Sequence, residues 1–398
     1  MTVDTFDEAP DAPADRPGRG GLSVEAAVAA GEAVLARRFG STIALDEAAL
    51  LAGSGPATVV RARIASSPFG LPRTLVIKHY PPAVPGAPDP FAQEAVSYQL
   101  FTALSAEDRM CPELLAHHGS ERVLVVEDLG RAPTLRDKLC GSDARAAERA
   151  LLSWARSLGR MHATTAGREA DFDALLRRLG GPVKEKAPAT TGEQLPGLIG
   201  ETLGVRLTAQ VREFAAQAWA QACSGAYRAF SPVDLSPDNN MVTSGGVRFL
   251  DFERGRVRNA LIDAALLRVP FVSCGTPAAG SLVGSLTDTL ALPAGMSEAM
   301  VAVWRAEVSA IWPALADNDA LSARLLDHQF VLVCARTWEC LAGDCDRPAA
   351  LVTWWRDLAG YAVRSGHDLL ATYADEVASA LDGRFGPGLS LRLYPAFR

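Results

Sequence analysis

The chain has 398 residues, of which 48% are hydrophobic and 21% charged, and its formal net charge at pH 7 is −7. This composition is typical of a globular protein and excludes an intrinsically disordered chain. The negative charge argues against nucleic acid as the main ligand, because no basic surplus exists to neutralise phosphates. The sequence has no run of about 18 apolar residues and no signal-peptide pattern, so we expect a cytoplasmic protein without a membrane span.

The elements predicted in chain order divide the sequence into two lobes, as its length also suggests. Residues 1–22 are rich in Pro, Asp and Gly without apolar periodicity, which predicts a disordered tail. Residues 23–128 begin with an amphipathic helix capped by Ser23, followed by three β-branched strand patterns and one helix at 89–104. Residues 129–398 are mainly helical. The pattern therefore predicts an α+β fold with a strand-rich small lobe and a larger helical lobe.

The seven cysteines are scattered and odd in number. They lack the paired short spacings of a zinc site or of a disulfide framework. We therefore expect reduced and mostly buried thiols.

A glycine pair precedes the first strong strand pattern, in "LAGSGPATVV". Gly53 and Gly55 allow a tight turn whose backbone amides could face an anion, although a plain hairpin turn is the commoner reading. Val60 is then placed to enter the strand and pack under a flat ring. Thr58 stands where kinase glycine loops often have a third glycine.

The next strand pattern, "TLVIKHY", contains Lys78, and the following helix pattern contains Glu94. A lysine at a strand end is more often solvated, and so is a glutamate on a helix. Glu94, however, shares its helix face with Phe91, Tyr98 and Phe101, at offsets of three, four and seven residues. An inward glutamate and a lysine facing a closed cleft predict an ion pair between Lys78 and Glu94.

The pattern "VLVVEDLG" runs from a buried strand into Glu127, Asp128 and Leu129, where the strand-rich and helical parts meet. This segment is either a hinge whose free backbone groups could hydrogen-bond a purine edge or a simple linker.

The stretch "PVDLSPDNN" contains Asp234 and Asn239, five residues apart, and Asp251 follows a turn and an apolar run. Each residue alone is most often a turn former. Two strands joined by the turn would bring Asn239 and Asp251 together, and an oxygen-only pair suits Mg²⁺. Asp234, nearer the mouth of the cleft, could accept a proton from a substrate hydroxyl.

The order of these motifs resembles the aminoglycoside phosphotransferase and choline kinase-like family, from about Leu51 to Phe271. The resemblance implies a protein-kinase-like fold with a small antiparallel sheet in the N-lobe. It implies that ATP and Mg²⁺ are cofactors and that a hydroxylated small molecule is the substrate. It also implies roles for single residues: Lys78 on the α- and β-phosphates, Glu94 orienting it, Glu127 to Leu129 on the base, Asp234 as catalytic base, and Asn239 and Asp251 on Mg²⁺.

Two further segments resemble structural parts of that family. "LGRMHATT", with His162, resembles the helix end that precedes its variable insertion, and "LIDAALLRVPF", with Asp263, resembles its following support segment. The family usually has histidine two residues before the catalytic Asp, whereas this chain has Pro232. Pro232 and Thr58 favour an alternative, a nucleotide-binding pseudokinase with a regulatory or scaffolding role. The chain nevertheless retains all five polar residues to which the resemblance gives a role in catalysis, and this favours a kinase. They are Lys78, Glu94, Asp234, Asn239 and Asp251.

The acceptor stays open among an aminoglycoside, another antibiotic, an amino alcohol and a primary metabolite, and the oligomeric state stays open too. Acidic and aromatic residues after about 271 could receive a cationic or sugar-like ligand, or they could be ordinary surface carboxylates and core tryptophans. They are Glu307, Trp338, Glu339, Asp344, Asp346, Trp354 and Trp355.

Overall fold

The computed structural model describes residues 22–51, 55–67, 69–180, 192–269, 271, 290–343, 345 and 347–398. All but the last residue of the predicted tail at 1–22 lies outside the described residues. The first helix begins where its pattern predicts, because the Ser23 side chain accepts a hydrogen bond from the amide of Ala26.

The N-terminal part consists of one sheet between two helices. In chain order the elements are α1 (Val24–Phe39), β1 (Ala44–Leu50), β2 (Thr58–Ser66), β3 (Thr74–His79), α2 (Pro90–Thr102), β4 (Leu114–His118) and β5 (Val123–Glu127). All neighbouring strands are antiparallel, in the order β1-β2-β3-β5-β4. The three strands predicted from β-branched runs and the helix predicted at 89–104 are confirmed.

β1 and β4 are not among the strands predicted from the sequence. β1 reads "ALDEAAL", without a β-branched residue, and it is a mostly exposed edge strand. Pairing with β2 and the ion pair between Arg63 and Asp46 hold it in the sheet. Tertiary contacts thus outweigh a sequence whose local propensity is helical.

The C-terminal part is mainly helical. Its elements are α3 (Leu135–Cys140), α4 (Ala144–Thr165), α5 (Glu169–Arg178), α6 (Leu195–Leu203), α7 (Ala209–Ser224), β6 (Arg228–Ser231), β7 (Asn240–Thr243), β8 (Gly246–Phe249), β9 (Arg256–Asn259), α8 (Ala260–Ala265), α9 (Met296–Val308), α10 (Asn318–Ala342), α11 (Pro348–Arg364) and α12 (Asp368–Phe385). Its strands form two small sheets, β6-β9 and β7-β8. The predicted α+β class, with a small antiparallel sheet and a larger helical region, is confirmed. Among the described helices, none combines the length and apolar character that crossing a bilayer requires.

The two faces of the N-terminal sheet belong to different cores. Val60, Ile77 and Val125 lie on the face that packs against α1. Gly31 allows the close approach of α1, because a Cβ there would lie 2.7 Å from Cδ1 of Ile77. Leu124 and Val126 point to the other face and join the large core shared with α2 and the C-terminal helices. Lys78, paired with Leu124, therefore faces the C-terminal part of the chain.

The expectation that the cysteines are reduced is wrong for one pair, because Cys340, in the last turn of α10, forms a disulfide with Cys345 beyond its end. Their Cα atoms are 4.4 Å apart, within the range that a disulfide bridges. The other cysteines of the described residues are free thiols. Of these, Cys111 and Cys334 are buried, whereas Cys140 and Cys223 are exposed.

Candidate functional site

Lys78 lies between two carboxylates contributed by distant parts of the chain. Its Nζ is 2.5 Å from Oε1 of Glu94 in α2 and 3.4 Å from Oδ1 of Asp251, which follows β8. Glu94 is fully buried and the Lys78 side chain is 12% exposed. The predicted ion pair between Lys78 and Glu94 is therefore present, and Asp251 joins it from the C-terminal part.

Glu94 also connects α2 to the segment around Asp251. Its Oε2 accepts a hydrogen bond from the hydroxyl of Tyr80, and its Oε1 accepts one from the amide of Phe252 at 3.1 Å. Phe252 is fully buried, and its ring lies 5.2 Å from that of Tyr98. One carboxylate thus holds the lysine, the end of β3 and the backbone beside Asp251 in a fixed relation.

The charges around Lys78 stabilise its ammonium form. Burial by itself would lower the pKa of Lys78, but the carboxylates of Glu94 and Asp251 raise the pKa above its ordinary value. Burial and the charge of Glu94 also raise the pKa of Tyr80, which keeps its hydroxyl protonated as a donor. The site therefore keeps Lys78 as a fixed ammonium, a group that can donate hydrogen bonds to phosphate.

Two residues of this region have backbone conformations that cost energy. Asp251 has a φ of 63° and Val233, next to Asp234, a φ of 69°. Positive φ is rare for a non-glycine residue and is strained for a β-branched one. Strain of order 1–3 kcal/mol persists only where surrounding contacts enforce it, and such residues cluster at functional sites.

Asp234 lies in the loop between β6 and β7. Its Oδ1 accepts a hydrogen bond from the amide of Ser236 at 3.0 Å. Burial and the nearby charge of Asp251 raise the pKa of Asp234, although the hydrogen bonds from Ser236 and the charge of Arg254 act in the opposite direction. A carboxylate with a raised pKa is a stronger base, which suits the role predicted for it.

The strained turn before Asp234 is anchored by Ser231. The Ser231 hydroxyl oxygen accepts a hydrogen bond from the amide of Val233 at 3.0 Å, and its proton is donated to Asp263. Pro232, the next residue, has no backbone N–H to donate. The Ser231 and Asp263 contact therefore holds this loop.

Asp263, in α8, is the centre of a buried polar network. It accepts hydrogen bonds from Nε2 of His162 at 3.1 Å and from Arg258. The indole N–H of Trp304 donates to Nδ1 of His162 at 3.0 Å, so Nε2 of His162 carries the proton. Burial alone would raise the pKa of Asp263, but Arg258 and His162 lower it to about 2.

Asn239 is brought beside the Asp251 segment. The backbone amide of Leu250 donates to the carbonyl of Asn239 at 2.8 Å, which continues the β7 and β8 pairing. In the described residues no three His, Cys, Asp or Glu side chains form a group that could hold a metal. Asn239 and Asp251 offer oxygen ligands, the kind that Mg²⁺ prefers, so their chemistry fits that ion.

Asn240, which the sequence analysis did not single out, supports the loop from inside. It is fully buried, and its Nδ2 donates to the carbonyls of Leu235, at 3.4 Å, and Ser236. The two carbonyls are acceptors, so the side-chain amide of Asn240 must direct its nitrogen toward them. Its oxygen in that place would have no proton to donate. The loop that carries Asp234 is thus held at both ends, by Ser231 and by Asn240.

Replacement of Asn240 tests that support. Asn240→Leu is expected to reduce the free energy of unfolding by about 1–3 kcal/mol, because two buried carbonyls lose their donor. Asn239→Ala, one residue away and not in that contact, should change it by no more than about 0.5 kcal/mol. Urea denaturation of both variants measures the difference. Equal stability of the two would refute the structural role of Asn240.

Gly55 lies against the segment that contains Asp251. A Cβ on Gly55 would be 2.9 Å from Oε2 of Glu253, so a side chain there would have to displace the end of the Glu253 side chain. Burial and the charges of Asp251 and Glu94 raise the pKa of Glu253 to about 7. Gly53 lies outside the described residues. Thr58, at the position of a third glycine, donates through its hydroxyl to the carbonyl of Leu22 at 2.9 Å.

Val60 is not where the sequence analysis predicted it. It pairs with Ile77 and faces α1, on the opposite side of the sheet from Lys78. Val59 pairs with Lys78 and so shares its face. Because side chains alternate along a strand, an error of one residue moves the side chain to the wrong face. A packing role beneath a nucleotide base therefore does not fit Val60.

The predicted hinge follows β5 directly. Glu127 is the last strand residue, paired with Leu75, and its Oε2 accepts the amide of Glu113 at 3.1 Å. Asp128 accepts through Oδ1 from Arg61 and from the amide of Gly130. Burial would raise the pKa of Asp128, but hydrogen bonds from Thr74, Gly130 and Arg61 lower it. The side chains of Glu127 and Asp128 are thus used within the protein.

The acidic and aromatic residues of the C-terminal region are mostly engaged in the fold. Trp354 and Trp355 are buried, and the Trp355 indole donates to Thr337 at 2.8 Å. Glu339 pairs with Arg336, and Glu307 lies 3.6 Å from Arg156. Trp338 packs against the core as a partly buried side chain. Asp344 and Asp346 lie outside the described residues.

Comparison with protein-family models and with curated proteins finds no match. Among solved structures, a Plasmodium vivax ethanolamine kinase matches 84% of this chain and 81% of its own length, with 10% identity and a TM-score of 0.45. Choline kinase LicA from Streptococcus pneumoniae matches 79% and 94%, with 10% identity and a TM-score of 0.42. Macrolide 2′-phosphotransferase MphH from Brachybacterium faecium matches 80% and 96%, with 17% identity and a TM-score of 0.42. These proteins are of the kind that the motif order resembles.

Proposed function

We propose that the protein is a phosphotransferase that uses ATP and Mg²⁺ to phosphorylate a hydroxyl of a small molecule. The observation that carries the proposal is the position of Lys78 between Glu94 and Asp251. Phosphoryl transfer requires an ammonium that binds phosphate, a carboxylate that can bind a metal ion, and a base. Lys78 and Asp251 offer the first two. Asp234, a carboxylate whose pKa is raised, offers the third.

Each residue has a role that its contacts support. Lys78 binds the phosphates of ATP, and Glu94 orients Lys78. The backbone of Glu127, Asp128 and Leu129 receives the base. Asp234 accepts the proton of the acceptor hydroxyl, and the neighbouring amide of Ser236 keeps its carboxylate in position.

Asn239 and Asp251 would hold Mg²⁺, and the bound ion would neutralise charge on the phosphates during transfer. Asp251 is suited to this because Phe252, next in the chain, is fixed by the hydrogen bond from its amide to Glu94. Lys78 lies within 3.4 Å of the same carboxylate, so the phosphate-binding and metal-binding groups converge.

The test is ATP consumption with Mg²⁺ across aminoglycosides, other hydroxylated antibiotics, choline and homoserine, with the phosphorylated product identified by mass spectrometry. One acceptor should stimulate ATP consumption and gain one phosphate. If ATP binds but no acceptor is phosphorylated, either in this panel or in a wider set of hydroxylated compounds, the result would favour the nucleotide-binding pseudokinase instead. An absence of ATP binding would refute both functions.

A further inference from the structure

Arg61 lies on the cleft face of the sheet, between the proposed phosphate-binding and base-binding ends of the site. In β2 it pairs with Val76 of β3, two residues before Lys78 and on the same face. Val76 pairs in turn with Val126, one residue before the end of β5. A nucleotide with its phosphates at Lys78 and its base at Leu129 would therefore pass along Arg61.

The Arg61 guanidinium reaches from the sheet to the segment after β5. Its Nη2 donates to Oδ1 of Asp128 and to the carbonyl of Gly130, both at 2.8 Å. The Asp128 side chain is only 4% exposed, and the same Oδ1 accepts the amide of Gly130 at 2.9 Å. These contacts fix the plane of the guanidinium at the edge of the cleft.

Part of this fixed group remains open to a ligand. The Arg61 side chain is 27% exposed, although its guanidinium end is ion-paired with Asp128. A guanidinium plane stacks on aromatic rings, which a purine base provides.

We propose that Arg61 binds the nucleoside part of the nucleotide, through stacking of its guanidinium plane on the base. The ion pair with Asp128 holds it ready for this contact before the nucleotide arrives. This inference rests on the proposed function for the identity of the ligand, and it adds a nucleotide-binding residue that does not touch the phosphates.

Calorimetric binding of ADP, adenosine and inorganic tripolyphosphate to the full chain tests the assignment. Arg61→Ala is expected to weaken ADP and adenosine binding by the same factor, about 10-fold, and to leave tripolyphosphate binding unchanged. Transfer at saturating ATP should keep its kcat, while KM for ATP rises by a similar factor.

Arg63→Ala is the matched control. Arg63 lies two residues along the same face of β2 and is also ion-paired, but its partners are Asp46 at 2.5 Å and Glu47 at 2.9 Å on β1. It should bind all three ligands as the wild type does. Arg61→Lys, which keeps the charge near Asp128 but loses the guanidinium plane, should show the same loss as Arg61→Ala and guards against a folding defect in the latter.

Unchanged adenosine affinity in both Arg61 variants would overturn the inference, and so would a loss confined to tripolyphosphate. Either result leaves the proposed function intact if the wild type binds ADP and transfers phosphate. If the wild type binds none of the three ligands, the proposed function fails and the inference fails with it.

Discussion

Replacing Asp234 by Asn is expected to lower kcat for phosphoryl transfer by about 10²–10⁴-fold, the usual contribution of a positioned general base. The amide of Asn has nearly the shape of the carboxylate, and its oxygen can still accept the Ser236 amide that Asp234 accepts at 3.0 Å. It cannot take a proton from the acceptor hydroxyl. The loss should therefore fall on kcat, with little change in KM for ATP.

Asp238→Asn is the matched control for this prediction. Asp238 belongs to the same loop and lies four residues further on, but it is exposed and pairs with Arg136 at 3.1 Å. Its replacement should leave kcat within about two-fold of the wild type, because an exposed ion pair contributes little. Equal activity of the Asp234 variant and the wild type would exclude Asp234 as the base.

The pH dependence gives a second measurement on the same residue. The base must be ionised to act, so kcat/KM should fall as the solution becomes acidic. Burial and Asp251 raise the pKa of Asp234, which places this acid limb above the ordinary value of 3.8. The limb should disappear in the residual activity of Asp234→Asn. A limb that persists there would belong to another group.

The parts of the site that the sequence predicted are those with a local signal. The inward position of Glu94 follows from helical periodicity over about two turns, and its contact with Lys78 follows because an inward charge needs a partner. The pairing that brings Asn239 beside Leu250 follows from one short turn between two strands. These signals extend over few residues, so they can be seen without the fold.

The rest depended on register and on long-range contacts. Val60 was assigned to the wrong face because strand register, with its period of two, was not known to one residue. Ser231 lies 32 positions before Asp263 in the chain, and His162 lies 101 positions before Asp263. No spacing rule connects them, since helices and strands of the C-terminal part bring them together. The segments of His162 and Asp263 could be named from the resemblance, but their contacts with each other and with Ser231 could be found only in the structure.

Asp263→Ala is expected to cost about 3–5 kcal/mol of unfolding free energy, the largest stability effect we predict. Asp263 is fully buried, and its two oxygens accept from three donors: His162, Arg258 and Ser231. Removing the carboxylate leaves a buried guanidinium without its counter-charge. Asp263→Asn should also destabilise, because an amide presents one acceptor oxygen and turns a donor toward the remaining partners. Urea denaturation at neutral pH measures both.

Acid should remove the same stabilisation in the wild type. The pKa of Asp263 is about 2 in the folded protein, below the ordinary value of 3.8. Its contribution is therefore complete above pH 4 and is lost as the pH falls from about 4 to about 2. By linkage the loss is roughly 2 kcal/mol. In Asp263→Asn the unfolding free energy should lack this part of the acid dependence.

Asp327→Asn supplies a control of opposite sign. Burial raises the pKa of Asp327 to about 6, so its ionised form costs stability as the pH rises from about 4 to about 6. Neutralising it should leave the unfolding free energy at pH 7 unchanged or higher. The two aspartates thus separate a carboxylate that the fold requires in its charged form from one that it merely tolerates. Equal losses in the two variants would show that Asp263 is no more than another buried carboxylate.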